Sequence, residues 1–175
     1  TTWVDADFAN AVHDRKSITG QIHQLNGGPL HVSTRKQLAM TGSTTEAELH
    51  GARHAMETTL FLRGLLEELG AAQLNATPLY IDNANAVEII NDGEKYGNIK
   101  HIDISVRMLQ YYQELELITA VWKPDAEQRA DILTKNLKRQ AHVTKALGIM
   151  DVPALVPALL RLALSKYPNH FALQP

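Results

Sequence analysis

The sequence predicts an α/β protein in which a mixed sheet is flanked by helices. Three observations predict it. Short runs of alternating residues, split by turn signals, open the chain as an antiparallel meander. A long segment of helical periodicity follows, and two later strand-like runs are each bordered by helical segments. The order is three strands, helix, strand, two helices, strand, helix, so hairpin-joined strands are followed by strands that need crossovers.

Thr2 to Phe8 reads as the first strand, with Val4, Ala6 and Phe8 on one face and Trp3, Asp5 and Asp7 on the other. After a polar segment from Asn10 to Lys16, Ile18 to Leu25 forms the second strand. Asn26-Gly27-Gly28 is a turn, and Leu30 to Ser33 returns as the third strand. Gln37 to Met40 is read as extending the sheet beyond Arg35 and Lys36. Ser43 starts the long helix through an S-x-x-E capping box with Glu46, and Gly70 stops it after Leu69. Leu79 to Asp82 is a strand and Asn83 to Ile90 a helix. Asn91 to Asn98 is a loop, Ile102 to Glu114 a helix, and Leu117 to Trp122 a strand that Pro124 breaks. Asp125 is read as the cap of a further helix, with Gln128 in the reciprocal position.

At 175 residues the chain is expected to hold one domain over residues 1–150, with a Pro- and Leu-rich extension over 151–175. The extension is expected to form one short helix, its Leu155, Leu159, Leu162 and Leu164 covering the domain's own core. Docking to a neighbouring domain is the alternative. With no cysteine, disulfides and thiolate metal sites are excluded. There is no signal peptide, and Pro157 and Arg161 interrupt the longest apolar stretch, so no membrane span is expected. The net charge of -2 is unlike that of domains that hold nucleic acid by charge alone, so basic residues would have to gather on one face.

Acids in unusual places are the strongest chemical signal. Two-cation phosphodiester chemistry needs several carboxylates converging on one point. Aspartate is depleted in strands, so Asp5 and Asp7 are anomalies there. They share a face, and alternation does not separate them; both could also lie in a turn. On the long helix, positions 46, 50, 53 and 57 carry Glu, His, Arg and Glu, a solvated stripe. Positions 48, 52, 55, 59, 62 and 66 carry Glu, Ala, Ala, Thr, Leu and Leu, the core-facing stripe. Glu46 is explained by the cap. Glu48 is a carboxylate aimed at the sheet, where burial requires compensation, unless it sits at the rim of the first turn. Asp82 ends a strand, which suits a ligand, and precedes a helix, which suits a cap. Asp131, beside Thr134, Lys135 and Lys138, reads by itself as a solvated acid on a helix. His50 and His54 give no carboxylate-backed zinc pattern.

Several runs together carry a resemblance. They are Val4-Asp5-Ala6-Asp7-Phe8-Ala9 with Asp14-Arg15-Lys16-Ser17-Ile18-Thr19-Gly20; Gly42-Ser43-Thr44-Thr45-Glu46-Ala47-Glu48-Leu49; Leu79-Tyr80-Ile81-Asp82-Asn83-Ala84-Asn85-Ala86; Lys100-His101-Ile102-Asp103-Ile104; and Gln128-Arg129-Ala130-Asp131-Ile132-Leu133-Thr134-Lys135. In this order, from about Trp3 to Met150, the chain resembles the ribonuclease H domain of copia-type (Pseudoviridae) retrotransposon Pol polyproteins. The resemblance implies a ribonuclease H-like fold with a five-stranded mixed sheet and helices on both faces. It implies hydrolysis of the RNA strand of RNA–DNA hybrids during reverse transcription. It implies catalytic, metal-holding acids at Asp5, Glu48, Asp82 and Asp131, two Mg²⁺ ions for which Mn²⁺ can substitute, and the reverse transcriptase domain of the same polyprotein as partner. It places the protein in a cytoplasmic virus-like particle, or in the nucleus, and not outside the cell.

Arg15, Lys16, Arg35, Lys36, Lys100, Lys135 and Lys138 are the candidate contacts to the nucleic-acid backbone, each by default a solvated residue. Lys100-His101-Ile102-Asp103 reads as a phosphate contact or, more simply, as a helix start. The chain departs from the family where Phe8 replaces a usual Trp and Asn10 a usual Gly. The loop Lys123-Pro124-Asp125-Ala126-Glu127 also lacks the histidine that cellular ribonucleases H often carry there. The alternative reading is an inactive scaffold of the same fold.

Overall fold

The computed structural model describes residues 1–11, 13–92 and 100–150, without the side chains of residues 100–103. The expectations for residues 151–175, for most of the Asn91–Asn98 loop, and for the side chains of Lys100, His101 and Asp103 therefore fall outside the described residues.

Five strands form one sheet in the order β3-β2-β1-β4-β5: β1 (Thr2–Asp7), β2 (Ile18–Leu25), β3 (Gly28–Lys36), β4 (Thr77–Ile81) and β5 (Ile118–Trp122). The first three pair antiparallel and β1-β4-β5 pair parallel. The turn at Asn26-Gly27 uses positive φ at both residues, 48° and 81°, which is what a tight hairpin needs. The third strand is longer than its sequence signal, because Arg35 and Lys36 still pair with Thr19 and Ile18. Gln37 to Met40 does not extend it. Gln37 folds back instead, its amide donating to Thr19 Oγ1 at 2.8 Å and to the Ala47 carbonyl at 2.9 Å. That contact ties the connection to the helix it leads into.

The helices are α1 (Thr44–Glu68), α2 (Ala84–Asn91), α3 (Lys100–Glu114) and α4 (Arg139–Ile149). Ser43 Oγ accepts from Glu46 N at 3.1 Å, while the Glu46 carboxylate reaches Gly42 N at 2.6 Å, one residue earlier than in a standard box. At the other end Gly70 takes φ 75°, Gly70 N donates to Glu67 O at 2.9 Å and Ala71 N to Leu66 O at 2.8 Å. This is a Schellman stop.

One core lies between the sheet and α1, α2 and α3, and includes Val4, Leu49, Met56, Leu79, Ile81, Ile90, Leu109 and Ile118. A smaller one on the opposite face joins Trp3, Ile22 and Ala130, with Tyr80, Leu133 and Ile149 against it. Among the described residues no helix is long and apolar enough to cross a membrane.

Candidate metal centre

The carboxyl ends of β1 and β4 run together and then part. Their ladder consists of Thr2–Leu79 and Trp3–Tyr80. Past it, the β4-facing backbone groups of β1 are met by side chains. Gln128 Nε2 donates to Val4 O at 2.8 Å and to Tyr80 O at 3.4 Å, and Ala6 N donates to Glu48 Oε1 at 3.1 Å. The split is a crevice at the carboxyl ends of strands where the sheet changes from antiparallel to parallel, a common place for a ligand.

The four expected acids reach this crevice from different elements, and the exposed Asp125 joins them as a fifth. Asp5 lies on β1 opposite Gly20 and is 1% exposed. Glu48 comes from α1 and is 4% exposed. The stripe that singled it out is the buried one: Ala52, Ala55 and Thr59 are buried with it. Asp82 directly follows β4. The cap of α2 is its neighbour Asn83, whose Oδ1 accepts from Ala86 N at 3.0 Å, so the Asp82 carboxylate is left to the crevice. Ligand oxygens of Asp5, Glu48 and Asp82 lie within 4.8 Å of one another, and those of Asp82, Asp125 and Asp131 do the same.

Asp131 corrects the sequence reading. No α-helix starts at Asp125. Two 3-10 helices, Asp125–Glu127 and Arg129–Leu133, meet at Gln128, whose backbone is extended (φ -65°, ψ 109°). The side chain of Gln128 explains the break. Its oxygen accepts from Ala130 N at 3.2 Å while its amide reaches the sheet, and a continuous helix could not supply both contacts. The result turns Asp131 inward, to 1% exposure, rather than onto a solvated face. Gly20 permits the approach. A Cβ there would lie 2.7 Å from Leu133 Cβ and 2.9 Å from Thr134 Cγ2.

Burial raises the Asp5 carboxyl to about 6, against the opposing hydrogen bond from Thr134 and the charge of Lys135. Burial, then the charges of Asp5 and Asp82, push Glu48 well above the usual range. Burial also raises Asp82. Two ammonium groups answer this negative charge. Lys135 Nζ lies 2.7 Å from Asp131 Oδ1, 3.2 Å from Asp125, 3.3 Å from Asp5 and 3.6 Å from Asp82. Burial opposes its charge, but the hydrogen bond to Asp131 and the fields of Asp5, Asp131 and Asp82 raise its pKa. Lys145 Nζ pairs with Asp131 Oδ2 and donates to the carbonyls of Asp125 (2.6 Å) and Gln128 (2.7 Å).

The donors fit a hard divalent cation. All are carboxylate oxygens, the ligands of Mg²⁺ and Mn²⁺. Among the described residues Glu48 Oε2 is buried with no hydrogen-bond partner, an arrangement that is costly unless something meets the oxygen.

The basic candidates divide. Arg35 and Lys36 end β3 beside the start of β2, with Arg15 and Lys16 in the preceding loop, so these four share the sheet end that carries Asp5. Lys36 pairs with Asp14 at 2.9 Å, and Arg35 contacts His54. Those two line a cleft of about 240 Å³ with His50 and Arg53. Lys138 is exposed at the start of α4. Lys135 points into the acids instead of outward, and the Lys100 side chain lies outside the described residues. Sequence reasoning missed Gln128 as an anchor, Thr134 as a donor to Asp5, Gly20 as a point of close approach, and Lys145. The first three stand in runs already singled out, whereas Lys145 left no local signal.

No family model matches the chain. It is 28% identical over 160 residues to the retrovirus-related Pol polyprotein from transposon RE2 of Arabidopsis thaliana, covering 90% of this chain and 11% of that protein. It is 29% identical over 137 residues to that from transposon TNT 1-94 of Nicotiana tabacum, covering 78% and 10%. The chain thus spans about a tenth of the length of the curated relatives it matches. Among solved structures, LC11-RNase H1 in complex with RNA/DNA hybrid superposes with TM-score 0.56 at 14% identity, over 80% of this chain and 96% of that one. The N-terminal RNase H domain of rv2228c from Mycobacterium tuberculosis gives 0.52 at 17%, over 83% and 94%. The chain has the ribonuclease H fold. Homologues of this ribonuclease H-like domain, over most of its length, are copia-type Pol polyproteins of plant transposons.

Proposed function

We propose that the domain is a metal-dependent ribonuclease that hydrolyses the RNA strand of RNA–DNA hybrids during retrotransposon reverse transcription. One observation carries the reading: the ligand oxygens of Asp5, Glu48 and Asp82 lie within 4.8 Å of one another at the split between β1 and β4, with Asp131 reaching the same crevice through Asp82. Asp5, Glu48, Asp82 and Asp131 would hold two divalent ions, Mg²⁺ or Mn²⁺ in its place, which when bound activate the attacking water and stabilise the leaving oxygen.

The chain's own part is placement. Glu48 Oε1 is fixed by Ala6 N, which leaves its other oxygen, buried and without a hydrogen-bond partner among the described residues, for an ion. Thr134 donates to Asp5 and holds it in one orientation. The phosphate backbone of the hybrid would meet Arg15, Lys16, Arg35 and Lys36, on the sheet end that carries Asp5. Discrimination would rest on groove shape and 2′-hydroxyls. The substrate class is supported by the fold's occurrence in LC11-RNase H1 complexed with RNA/DNA hybrid. It is supported also by the foamy viral protease-reverse transcriptase in complex with RNA/DNA hybrid, at TM-score 0.55 and 13% identity. On the same reading the partner is the reverse transcriptase domain of the parent polyprotein, and the place of action a cytoplasmic particle or the nucleus.

The test is cleavage of a labelled hybrid with Mg²⁺, with Mn²⁺ and with chelator, beside single-stranded RNA and double-stranded DNA. The expected result is metal-dependent cutting of the hybrid's RNA strand alone, reduced at least about a hundredfold in Asp5→Asn. A folded protein that cuts nothing with either ion would favour the scaffold reading. Hybrid affinity is expected to fall as salt rises, and less steeply in a variant with Arg35 and Lys36 changed to Ala.

A further inference from the structure

The two lysines at the centre differ in what holds them. Lys145 donates to two backbone carbonyls as well as to Asp131, and its side chain is only 11% exposed. It is fixed by the 3-10 turns that it braces. Among the described residues, Lys135 Nζ makes its polar contacts with carboxylates alone: Asp5, Asp82, Asp125 and Asp131. Its side chain is 33% exposed, and its backbone is anchored separately by Lys135 N donating to Asp131 O at 2.8 Å. The flexible stem can therefore swing outward without disturbing the turn.

The ammonium also contacts three of the four acids argued to hold metal, through Asp5 Oδ1, Asp82 Oδ2 and Asp131 Oδ1. Mg²⁺ binds such oxygens at about 2.0–2.1 Å. An ammonium on the same oxygens competes with it, because two cations a few ångströms apart repel strongly. Lys135 brings one positive charge to a group of carboxylates whose other ammonium partner is Lys145 on Asp131, so a doubly charged ion is the stronger counter-charge at the position Lys135 holds.

We propose that Lys135 is a displaceable counter-cation of the acidic centre, holding its carboxylates together until a divalent ion takes the same oxygens and turns the ammonium out. The proposal rests on the metal-binding reading above and adds a competitor built into the chain. It makes Lys135 a positioning residue that sets how tightly the centre takes up metal.

The experiment is calorimetric titration of Mn²⁺ into the wild-type chain and into Lys135→Met, Lys135→Gln, Lys135→Arg and Asp5→Asn, with melting curves in chelator and in saturating Mn²⁺. Lys135→Met and Lys135→Gln are expected to bind Mn²⁺ about tenfold tighter or more. They should also melt lower than wild type in chelator and gain more from the ion. Lys135→Arg, which keeps the charge, should stay near wild-type affinity. Unchanged or weaker Mn²⁺ binding in both neutral variants, with native circular dichroism, would overturn the proposal while leaving the metal reading intact. If neither the wild type nor the neutral variants bind the ion, both ideas fail together. If Asp5→Asn binds as tightly as wild type, the assignment of the centre fails first.

Discussion

The acids at the centre are held in two different ways. Asp5, Glu48 and Asp82 stand on or beside regular elements, β1, α1 and β4, whose positions are set by the large core under the sheet. Asp131 stands on a 3-10 turn with only a small cluster beneath it. Its place is set by individual contacts: Gln128 to β1 and β4, Lys145 to two carbonyls, and the close approach at Gly20. The comparison teaches that one half of the centre is specified by patterned burial, which many substitutions leave intact, and the other by single side chains. The second half should be the fragile one.

The largest effect should come from Gly20→Val. The added Cβ alone would meet Leu133 and Thr134 within 3 Å, and both strand and turn are too constrained to yield easily. The expected cost is about 3 kcal/mol, read by denaturant unfolding, with Mn²⁺ binding lost as Asp131 moves away. Full stability with normal metal binding would mean that the turn adapts, and that the contrast between the two halves is overdrawn.

Gln128→Leu comes next. Gln128 is fully buried and its amide meets the carbonyls of Val4 and Tyr80. Leucine keeps the volume but leaves both acceptors unmet and uncaps the second 3-10 helix, at about 2 kcal/mol. Hybrid cleavage should fall more than stability suggests, since the lost contacts orient Asp131. An equal cut in Glu48→Gln and Gln128→Leu activity at unequal stability cost would separate ligand from anchor.

This division also explains how much could be read from the sequence. Glu48 was legible because helical periodicity put one carboxylate on an apolar stripe, and burial of that stripe is a property of the pattern. Asp82 was legible only as a choice between ligand and cap, which the structure resolves by giving the cap to Asn83. Asp5 and Asp7 could not be told apart by alternation. The difference lies in depth: Asp5 is buried and Asp7, at the strand's end, is half-buried. Asp131 was misplaced on a helix because the force that breaks the helix, Gln128 bridging two strands 124 and 48 residues away, is invisible to any local window. Lys145 was missed for the same reason, being 14 residues from the acid it contacts.

A smaller effect separates the halves by pH. Asp5, buried, has its carboxyl raised from 3.8 to about 6. An acid with a raised folded pKa binds more protons folded than unfolded between those values, so its contribution favours the folded state at low pH and is lost as pH rises through about 6. Glu48 and Asp82 shift in the same direction. In chelator, Asp5→Asn should therefore melt a few degrees above wild type at pH 7, and the gap should close near pH 4. A saturating divalent ion should abolish the advantage, because it stabilises the ionised wild type and has less to hold in the variant. A pH-independent difference would instead point to Asp5 being held ionised throughout by Lys135.

The smallest effect provides the control for the first. Gly64 lies in the outer half of α1, exposed, with open space where a Cβ would go. No turn, close contact or positive φ asks for glycine there. Gly64→Ala removes only the unfolded-state entropy that glycine adds and supplies a better helix former, so it should raise stability by about 0.5–1 kcal/mol. Mn²⁺ affinity and cleavage should not change, since nothing connects this stretch of helix to the crevice except the core that Glu48 shares. If Gly64→Ala altered metal binding while Gly20→Val did not, the long helix rather than the turn would be the element that tunes the centre.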